Sequence, residues 1–321
     1  MTESTWLLTG GAGFIGAHII RSFRDQGLGV VVLDDLSTGV RENVPVDVPF
    51  VHAPLQDVDT VRKTVREHEV TGLLHLAAKK AVSESVERPL LYWEQNVAGM
   101  TSLLGAVLDE GVDRVLFSSS AAVFGIPPGD TVTEETPCAP ISPYGETKLV
   151  GEWILRDVAV ARPGLRWIAL RYFNVAGTGA PELGDRSVAN LIPLTFQALT
   201  AGRNPRLFGD DYDTRDGSCI RDYIHVVDLA DAHAAAAHRL DEGQVGEVYN
   251  VGRGEGVTVK EVFAAVRRVT GRDFEVDVVD RRAGDPPAYF ADPAKIEAQL
   301  GWRASRGLDD MVSSAWAAWP H

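Results

Sequence analysis

WLLTGGAGFIG, residues 6–16, runs from a short apolar stretch into Gly10-x-x-Gly13-x-x-Gly16 and then into apolar positions at helical spacing. A strand, a tight turn and a helix are the simplest reading. Gly10 permits the turn and Gly13 lets a backbone approach a pyrophosphate. Gly16 lets the helix pack on the sheet, while the N-terminal N–H groups at Phe14 and Ile15 face the phosphates. The next apolar run, VVVLDD (30–35), ends on Asp34 and Asp35, with Asp34 eighteen residues beyond Gly16. A carboxylate there accepts from both hydroxyls of an adenosine ribose and repels a 2′-phosphate, which selects NAD over NADP.

The same alternation continues outward. LLHLAA (73–78), VLFSSS (115–120) and WIALRY (167–172) read as buried strands, separated by helical patterns over 14–24, 58–67 and 90–109 and from Pro143. Alternation of this kind predicts an α/β fold, a Rossmann-type doubly wound parallel sheet covered on both faces. From Asn174 the pattern loosens into a long Gly/Pro-rich loop. A helix (191–201), the strand-like RDYIHV (221–226), an alanine-rich helix (227–240) and an irregular C-terminal region follow. The expected organisation is an NAD-binding domain over 1–173, with return segments near 217–250, and a smaller interleaved C-terminal α/β substrate domain over 174–321.

The bulk composition narrows the partners. A formal net charge of −14 argues against nucleic acid, which needs a basic face. Cys138 and Cys219 are too few for a disulfide framework and lack metal-site spacing, so no metal is expected and a reduced, cytoplasmic setting fits. No stretch approaches the roughly 18 apolar residues of a membrane span.

Candidate chemistry lies at the carboxyl end of a strand. VLFSSS places Ser118, Ser119 and Ser120 where such sheets bind ligands. In SPYGETK (142–148), Ser142 is a plausible N-cap and Pro143 a first helical residue, so Tyr144 and Lys148 share one helix face at i and i+4. Alone, such a pair is an exposed contact contributing a few tenths of a kcal/mol. Bringing a phenol from about 10 down by about three units takes on the order of 4 kcal/mol. A desolvated lysine helped by a nicotinamide cation supplies that; a solvated lysine does not.

TGGAGFIG (9–16), HLAA (75–78), SSSAAVFG (118–125), YGETK (144–148), LRYFN (170–174) and RDYIHV (221–226) occur in this order in a chain that resembles the extended short-chain dehydrogenase/reductase family. Within it the likeness is to the UDP-glucose 4-epimerases, and it runs from about residue 5 to 316. Two later stretches, LFGDDYDTRDGSCIRDYIHVVDLADAH (207–233) and RRAGDPPAYFAD (281–292), are more specific than the glycine loop.

The resemblance implies an NAD-dependent interconversion of UDP-glucose and UDP-galactose through a 4-keto intermediate. In it Tyr144 is the base on the sugar 4-hydroxyl, Ser120 bonds the same oxygen, and Lys148 depresses the tyrosine pKa and binds the nicotinamide ribose. It implies cofactor contacts at Lys80, Asn96 and Tyr172. It also implies UDP-sugar contacts at Lys80, Phe173, Asn174, Asn190, Leu191, Phe208, Arg221, Arg282, Asp285 and Tyr289, with the two arginines on the diphosphate. The bulk of Tyr289 favours plain hexoses over N-acetylhexosamines. A homodimer is implied through helices near 90–110 and 143–161, with Leu103, Leu104, Val107, Leu149, Val150, Trp153 and Ile154 offering apolar faces. His225 reads as structural.

Some positions depart from the family pattern. Pro54 stands near the place of an adenine-binding Asp, with Asp57 a candidate to shift in. Phe124 and Ala122 replace a usual tyrosine and threonine. Arg186, in the loop 175–189, keeps a UDP-glucuronate 4-epimerase as the alternative. A 4,6-dehydratase is disfavoured because Ala121-Ala122 occupies the place of its acid/base pair. A non-catalytic NAD sensor is disfavoured because Tyr144 and Lys148 are both present.

Overall fold

The alternation that begins at Trp6 builds a parallel sheet in the computed structural model of the chain, which describes residues 4–243, 245–282 and 286–320. Strands β1 (Thr5–Thr9), β2 (Gly29–Asp34), β3 (Phe50–His52), β4 (Gly72–His75) and β5 (Arg114–Ser120) are joined by α1 (Phe14–Asp25), α2 (Val58–Glu67), α3 (Val82–Glu87), α4 (Pro89–Tyr92) and α5 (Gly99–Asp109). Strand β6 (Thr131–Val132), α6 (Pro143–Ala161), β7 (Arg166–Tyr172) and β8 (Asn174–Ala176) follow. Next come α7 (Leu191–Thr200), β9 (Arg206–Phe208), β10 (Ile220–His225), α8 (Val226–Asp241) and β11 (Gly246–Val251). The chain ends with β12 (Gly256–Thr258), α9 (Val259–Thr270), β13 (Asp277–Val279), β14 (Ala288–Ala291), α10 (Ala294–Leu300) and α11 (Leu308–Ala317).

Seven parallel strands form the main sheet in the order β11-β7-β5-β4-β1-β2-β3. The chain direction across the sheet reverses between β1 and β4, and ligands in such sheets sit in the crevice outside the strand ends at that point. Alternate residues of each strand serve opposite faces. Trp6, Leu8, Val30, Val32, Leu74 and Leu116 pack with α1 and α8. Leu7, Val31, Leu33, Leu73, Val115 and Phe117 pack with α2, α5 and α6. Both faces are apolar because both are covered, which is the doubly wound arrangement.

A second sheet, β12-β10-β14-β6 with β8 on β10, and the pair β13-β9 carry the remaining strands. Residues 220–225 lie in this second sheet, whereas α8 and β11 return to the first. The region after 240 is regular rather than irregular as expected. Its strands are only three to six residues long and pair with distant segments, β13 with β9 and β14 with β10 and β6, so no local period announces them.

Two expectations about helices need correction. The pattern over 90–109 is not one uniform α-helix: residues Trp93–Ala98 form a π-helical turn between α4 and α5. Leu103, Leu104 and Val107, expected on a face between subunits, are fully buried in the chain's own core, and Leu149 is buried with Ala121, Val123 and Phe124. On the outer side of α6, Trp153 is 46% exposed and Val160 80%.

Candidate active site

The glycine loop opens the crevice. Gly10 has φ +76°, and a Cβ there would stand 2.8 Å from the backbone of Ala77, so the position needs glycine twice over. A Cβ on Gly16 would meet the Gly10 carbonyl at 2.5 Å, because α1 packs directly on the turn. At Gly13 the nearest atom is the Gly10 carbonyl at 3.3 Å, and the rest of the space opens to the crevice. Helix α1 has no side-chain cap and no acid in its first turn. Its N–H groups at Phe14 and Ile15 therefore present a positive, uncapped end to an anion.

Asp34 is held with both oxygens engaged. One accepts from the Ala12 N–H at 3.0 Å and the other from the Leu36 N–H at 2.8 Å. Burial pushes its pKa up and these two donors pull it back. The carboxylate stays on the crevice wall beside Asp35. Further along, Ala53, Pro54, Leu55 and Gln56 line the wall. Asp57 does not shift in: it caps α2, accepting from the Thr60 N–H at 3.1 Å and the Thr60 hydroxyl at 2.7 Å.

The Ser142 hydroxyl caps α6 by accepting from the Gly145 N–H at 3.2 Å, with Pro143 opening the helix. That fixes the phase of Tyr144 and Lys148, which are 8% and 3% exposed. The Lys148 ammonium donates to the Ser118 carbonyl at 2.7 Å and lies 4.9 Å over the Phe117 ring. Burial drives its pKa down to about 7, against the pull of Glu152. Burial pushes the Tyr144 phenol up, with Ser120 opposing and Tyr289 reinforcing the rise. The protein's own groups thus do not produce a phenolate at neutral pH. The expected depression of Tyr144 requires a further positive charge in the crevice.

Asn96 departs from its expected cofactor contact. Its amide accepts from the Lys79 N–H at 2.8 Å and donates to the Lys79 carbonyl at 3.0 Å and to Thr147 at 3.1 Å. It does not border the crevice; it ties the 77–80 loop to α6 from within the π turn, and Gln95 borders the crevice instead.

Beyond Tyr144 the crevice continues into the second sheet. Phe173 and Tyr289 pack with ring centroids 5.6 Å apart, and the Arg221 guanidinium lies 5.4 Å from the Tyr289 ring. Arg282 lies 3.8 Å over Phe208. Lys80, Ser120, Tyr172, Asn174, Asn190, Leu191 and Arg186 line the same space. Asp285 lies outside the described residues. His225 is the cap of α8, accepting from the Val227 N–H at 3.1 Å and bonding Ser314 at 3.2 Å, which is structural as expected.

The continuous cleft spans about 1610 Å³. Pockets for one small ligand run to roughly 300–1,000 Å³, so this space suits two ligands meeting at Tyr144. Sequence reasoning missed Arg171 and Glu152, a buried ion pair at 2.6 Å behind Lys148. The signal for Glu152 was present, since it falls one turn beyond Lys148 on the same face. Arg171 carried none, because only the third dimension brings β7 to α6.

The model of the NAD dependent epimerase/dehydratase family matches residues 6–252. The chain belongs to this family. A UDP-glucose 4-epimerase of Azospirillum brasilense is 44% identical over 314 residues, covering 96% of this chain and 90% of that one. Among solved epimerases, UDP-glucose 4-epimerase from Brucella ovis in complex with NAD is 40% identical, with a TM-score of 0.94 and 98% of each chain covered. The enzyme from Stenotrophomonas maltophila, solved with bound NAD and formylated UDP-arabinopyranose, is 37% identical, again with a TM-score of 0.94 and 98% of each chain covered.

Proposed function

We propose that this family member is an NAD-dependent 4-epimerase that interconverts UDP-glucose and UDP-galactose. One observation carries the reading: Tyr144 and Lys148 are buried one turn apart beside Ser120, midway along a cleft that runs from the glycine loop to Arg221 and Arg282. The open space at Gly13, the uncapped end of α1 and the fixed Asp34 carboxylate fit a dinucleotide without a 2′-phosphate. In this reading residues 1–173, with return segments near 217–250, hold NAD. Residues 174–321 hold the UDP-sugar.

Tyr144 removes the proton of the sugar 4-hydroxyl and later returns it, and Ser120 bonds the same oxygen. Bound NAD supplies a two-electron acceptor that gives back what it takes, so it remains in place. Lys148 favours the phenolate and holds the nicotinamide ribose. Lys80 reaches the cofactor and sugar phosphates, and Arg221 and Arg282 neutralise the diphosphate in an otherwise acidic protein. Phe173, Asn174, Asn190, Leu191 and Phe208 bound the sugar and uridine, and Tyr289 fills the space beside the sugar. The aromatic wall of Phe173 and Tyr289 helps to exclude water from the 4-keto sugar.

Arg186, exposed on the same cleft, favours a second reading in which the sugar carries a C6 carboxylate. Incubating the purified protein separately with UDP-glucose, UDP-N-acetylglucosamine and UDP-glucuronate, with no NAD added, decides between them. Conversion of UDP-glucose is expected, with at least about tenfold lower kcat/KM for the N-acetyl sugar. That ratio corresponds to roughly 1.4 kcal/mol of steric cost at Tyr289. Turnover of UDP-glucuronate alone, or of none, overturns the reading.

No helix among the described residues is long and apolar enough to cross a membrane. We place the enzyme in the cytoplasm as a homodimer. With Leu103, Leu104 and Val107 used internally, the inter-subunit contact falls to the outer side of α6, where Trp153 and Val160 are two turns apart on one stripe. Trp153→Glu is expected to shift the sedimenting species from dimer to monomer, and an unchanged dimer would remove this surface from consideration.

A further inference from the structure

Three residues on one stripe of α6, Tyr144, Lys148 and Glu152, stand one turn apart and are 8%, 3% and 4% exposed. The tip of β5 addresses all three. Ser120 lies against Tyr144, the Ser118 carbonyl accepts from Lys148 at 2.7 Å, and the Ser119 hydroxyl donates to Glu152 at 2.5 Å. From β7, Arg171 donates to both carboxylate oxygens of Glu152, through Nε at 2.9 Å and through Nη2 at 2.6 Å. Neither Glu152 nor Arg171 borders the cleft in which the sugar and cofactor are placed.

We propose that Glu152, clamped by Ser119 and Arg171, is a positioning residue whose carboxylate is the fixed counter-charge that keeps Lys148 an ammonium beside Tyr144. The proposal rests on the epimerase reading for the meaning of Tyr144, but the arrangement of charges stands without it.

The surroundings of Lys148 leave Glu152 as the group that can do this. On its own helix it meets Tyr144 and Glu152. From β4 it meets His75, which burial holds neutral at about 3. From β5 it meets the Phe117 ring and the Ser118 carbonyl. His233 of α8, bonded to the Ser118 hydroxyl at 2.9 Å, is neutral through burial at about 4. Arg171 reaches the cluster through Glu152, with Glu134 and Cys138 on its far side. Among the described residues no ion pair to Lys148 is found within 4.0 Å, so its compensation comes through this one shared carboxylate.

The buried cluster therefore holds two cations and one anion. Removing the anion strands both cations in a medium that solvates neither. Arginine does not give up its proton, so the lysine must. Glu152→Gln should thus turn Lys148 neutral at the working pH while leaving its shape and hydrogen bond in place. Losing the ammonium then raises the Tyr144 pKa. The high-pH limb of kcat, set by Lys148, moves down, and the low-pH limb, set by Tyr144, moves up. The active range narrows from both sides.

The test compares the holoenzyme with its E152Q, R171M and E152Q/R171M variants. It reads the pH profiles of kcat and KM, thermal melting, and the tyrosinate absorbance of each protein minus that of its Tyr144→Phe counterpart. E152Q is expected to move the Lys148 limb down by about 1–2 units, so that kcat near neutrality falls roughly 10–100-fold with KM within about twofold. The double variant, which removes one charge of each sign, should recover most of that loss even if it melts lower. R171M, which frees Glu152 for Lys148, should push the Lys148 limb up, and it carries the test if E152Q does not fold. Melting temperatures that fall together while the pH limbs stay put would show a purely structural ion pair and overturn the proposal. The tyrosinate titration needs no sugar. If it shifts in E152Q while the unsubstituted protein converts no UDP-hexose, the epimerase reading fails and this one survives; normal turnover by the unsubstituted protein with an unshifted titration in E152Q does the reverse.

Discussion

Tyr144→Phe is expected to lower kcat for UDP-hexose conversion by about 10²–10⁴-fold while NAD remains bound. That range is what a positioned acid–base group contributes. Tyr144 is a buried phenol on the cleft wall with Ser120 beside it, whereas Tyr223 and Tyr289 line the cleft where it runs into the second sheet. Tyr172 lines the same space, but burial and the charge of Tyr144 push its pKa far above the working range. The substitution removes one oxygen and keeps the ring that fills the space, so folding and cofactor retention should be unchanged. The assay follows UDP-galactose appearance by chromatography, and NAD content is measured after denaturing the protein. A variant that keeps more than about a tenth of wild-type kcat would assign the proton to another group. A protein that merely senses dinucleotide would show no turnover before or after the change.

The second large effect concerns when Tyr144 is ionised. Burial raises its pKa and lowers that of Lys148 to about 7, so each group is disfavoured in its charged form. A cation about 4 Å away at an effective dielectric near 20 is worth about 4 kcal/mol, which is roughly three pKa units. The oxidised nicotinamide carries that charge and the reduced one does not. Tyr144 is therefore expected to titrate about one to three units lower with NAD⁺ bound than with NADH bound. Below the lower value both forms hold the phenol protonated. Between the two values only the oxidised form holds phenolate. Above the upper value both are ionised. Difference absorbance of the two holo forms, corrected with Tyr144→Phe, measures this, and coincident titrations would exclude the cofactor as the missing cation.

The same two residues show how far local pattern carries an argument. Ser142, Pro143 and the i, i+4 spacing were sufficient to place Tyr144 and Lys148 on one face, because helix phase is a property of a few adjacent residues. Gly10, Gly13, Gly16 and Asp34 were legible for a related reason: a positive φ, a close approach and a strand end each constrain residue type at one position. Asp57 stayed open as a candidate for the adenine because a capping aspartate and an adenine-binding aspartate look alike in sequence. The Thr60 N–H at 3.1 Å and the Thr60 hydroxyl at 2.7 Å mark it as the cap. Asn96 was placed beside the cofactor, yet its amide is consumed by Lys79 and Thr147, two segments that its own neighbourhood does not mention.

Taken alone, the sequence determined the alternation of strands and helices, the covered sheet, the dinucleotide turn and the stripe that carries Tyr144. All of these follow from periods of two and 3.6 residues or from single-residue backbone limits. Tertiary structure alone decided the charge state of that stripe. Whether Lys148 is an ammonium depends on burial, on the Ser118 carbonyl, and on a carboxylate whose partner arrives from β7, nineteen residues beyond Glu152 in the chain. It also decided which apolar residues are free to meet a second subunit, turning Leu103, Leu104 and Val107 inward and leaving Trp153 outside. Solvation and electrostatics sum over everything within a few ångströms, and the chain sets those neighbours only once it has folded.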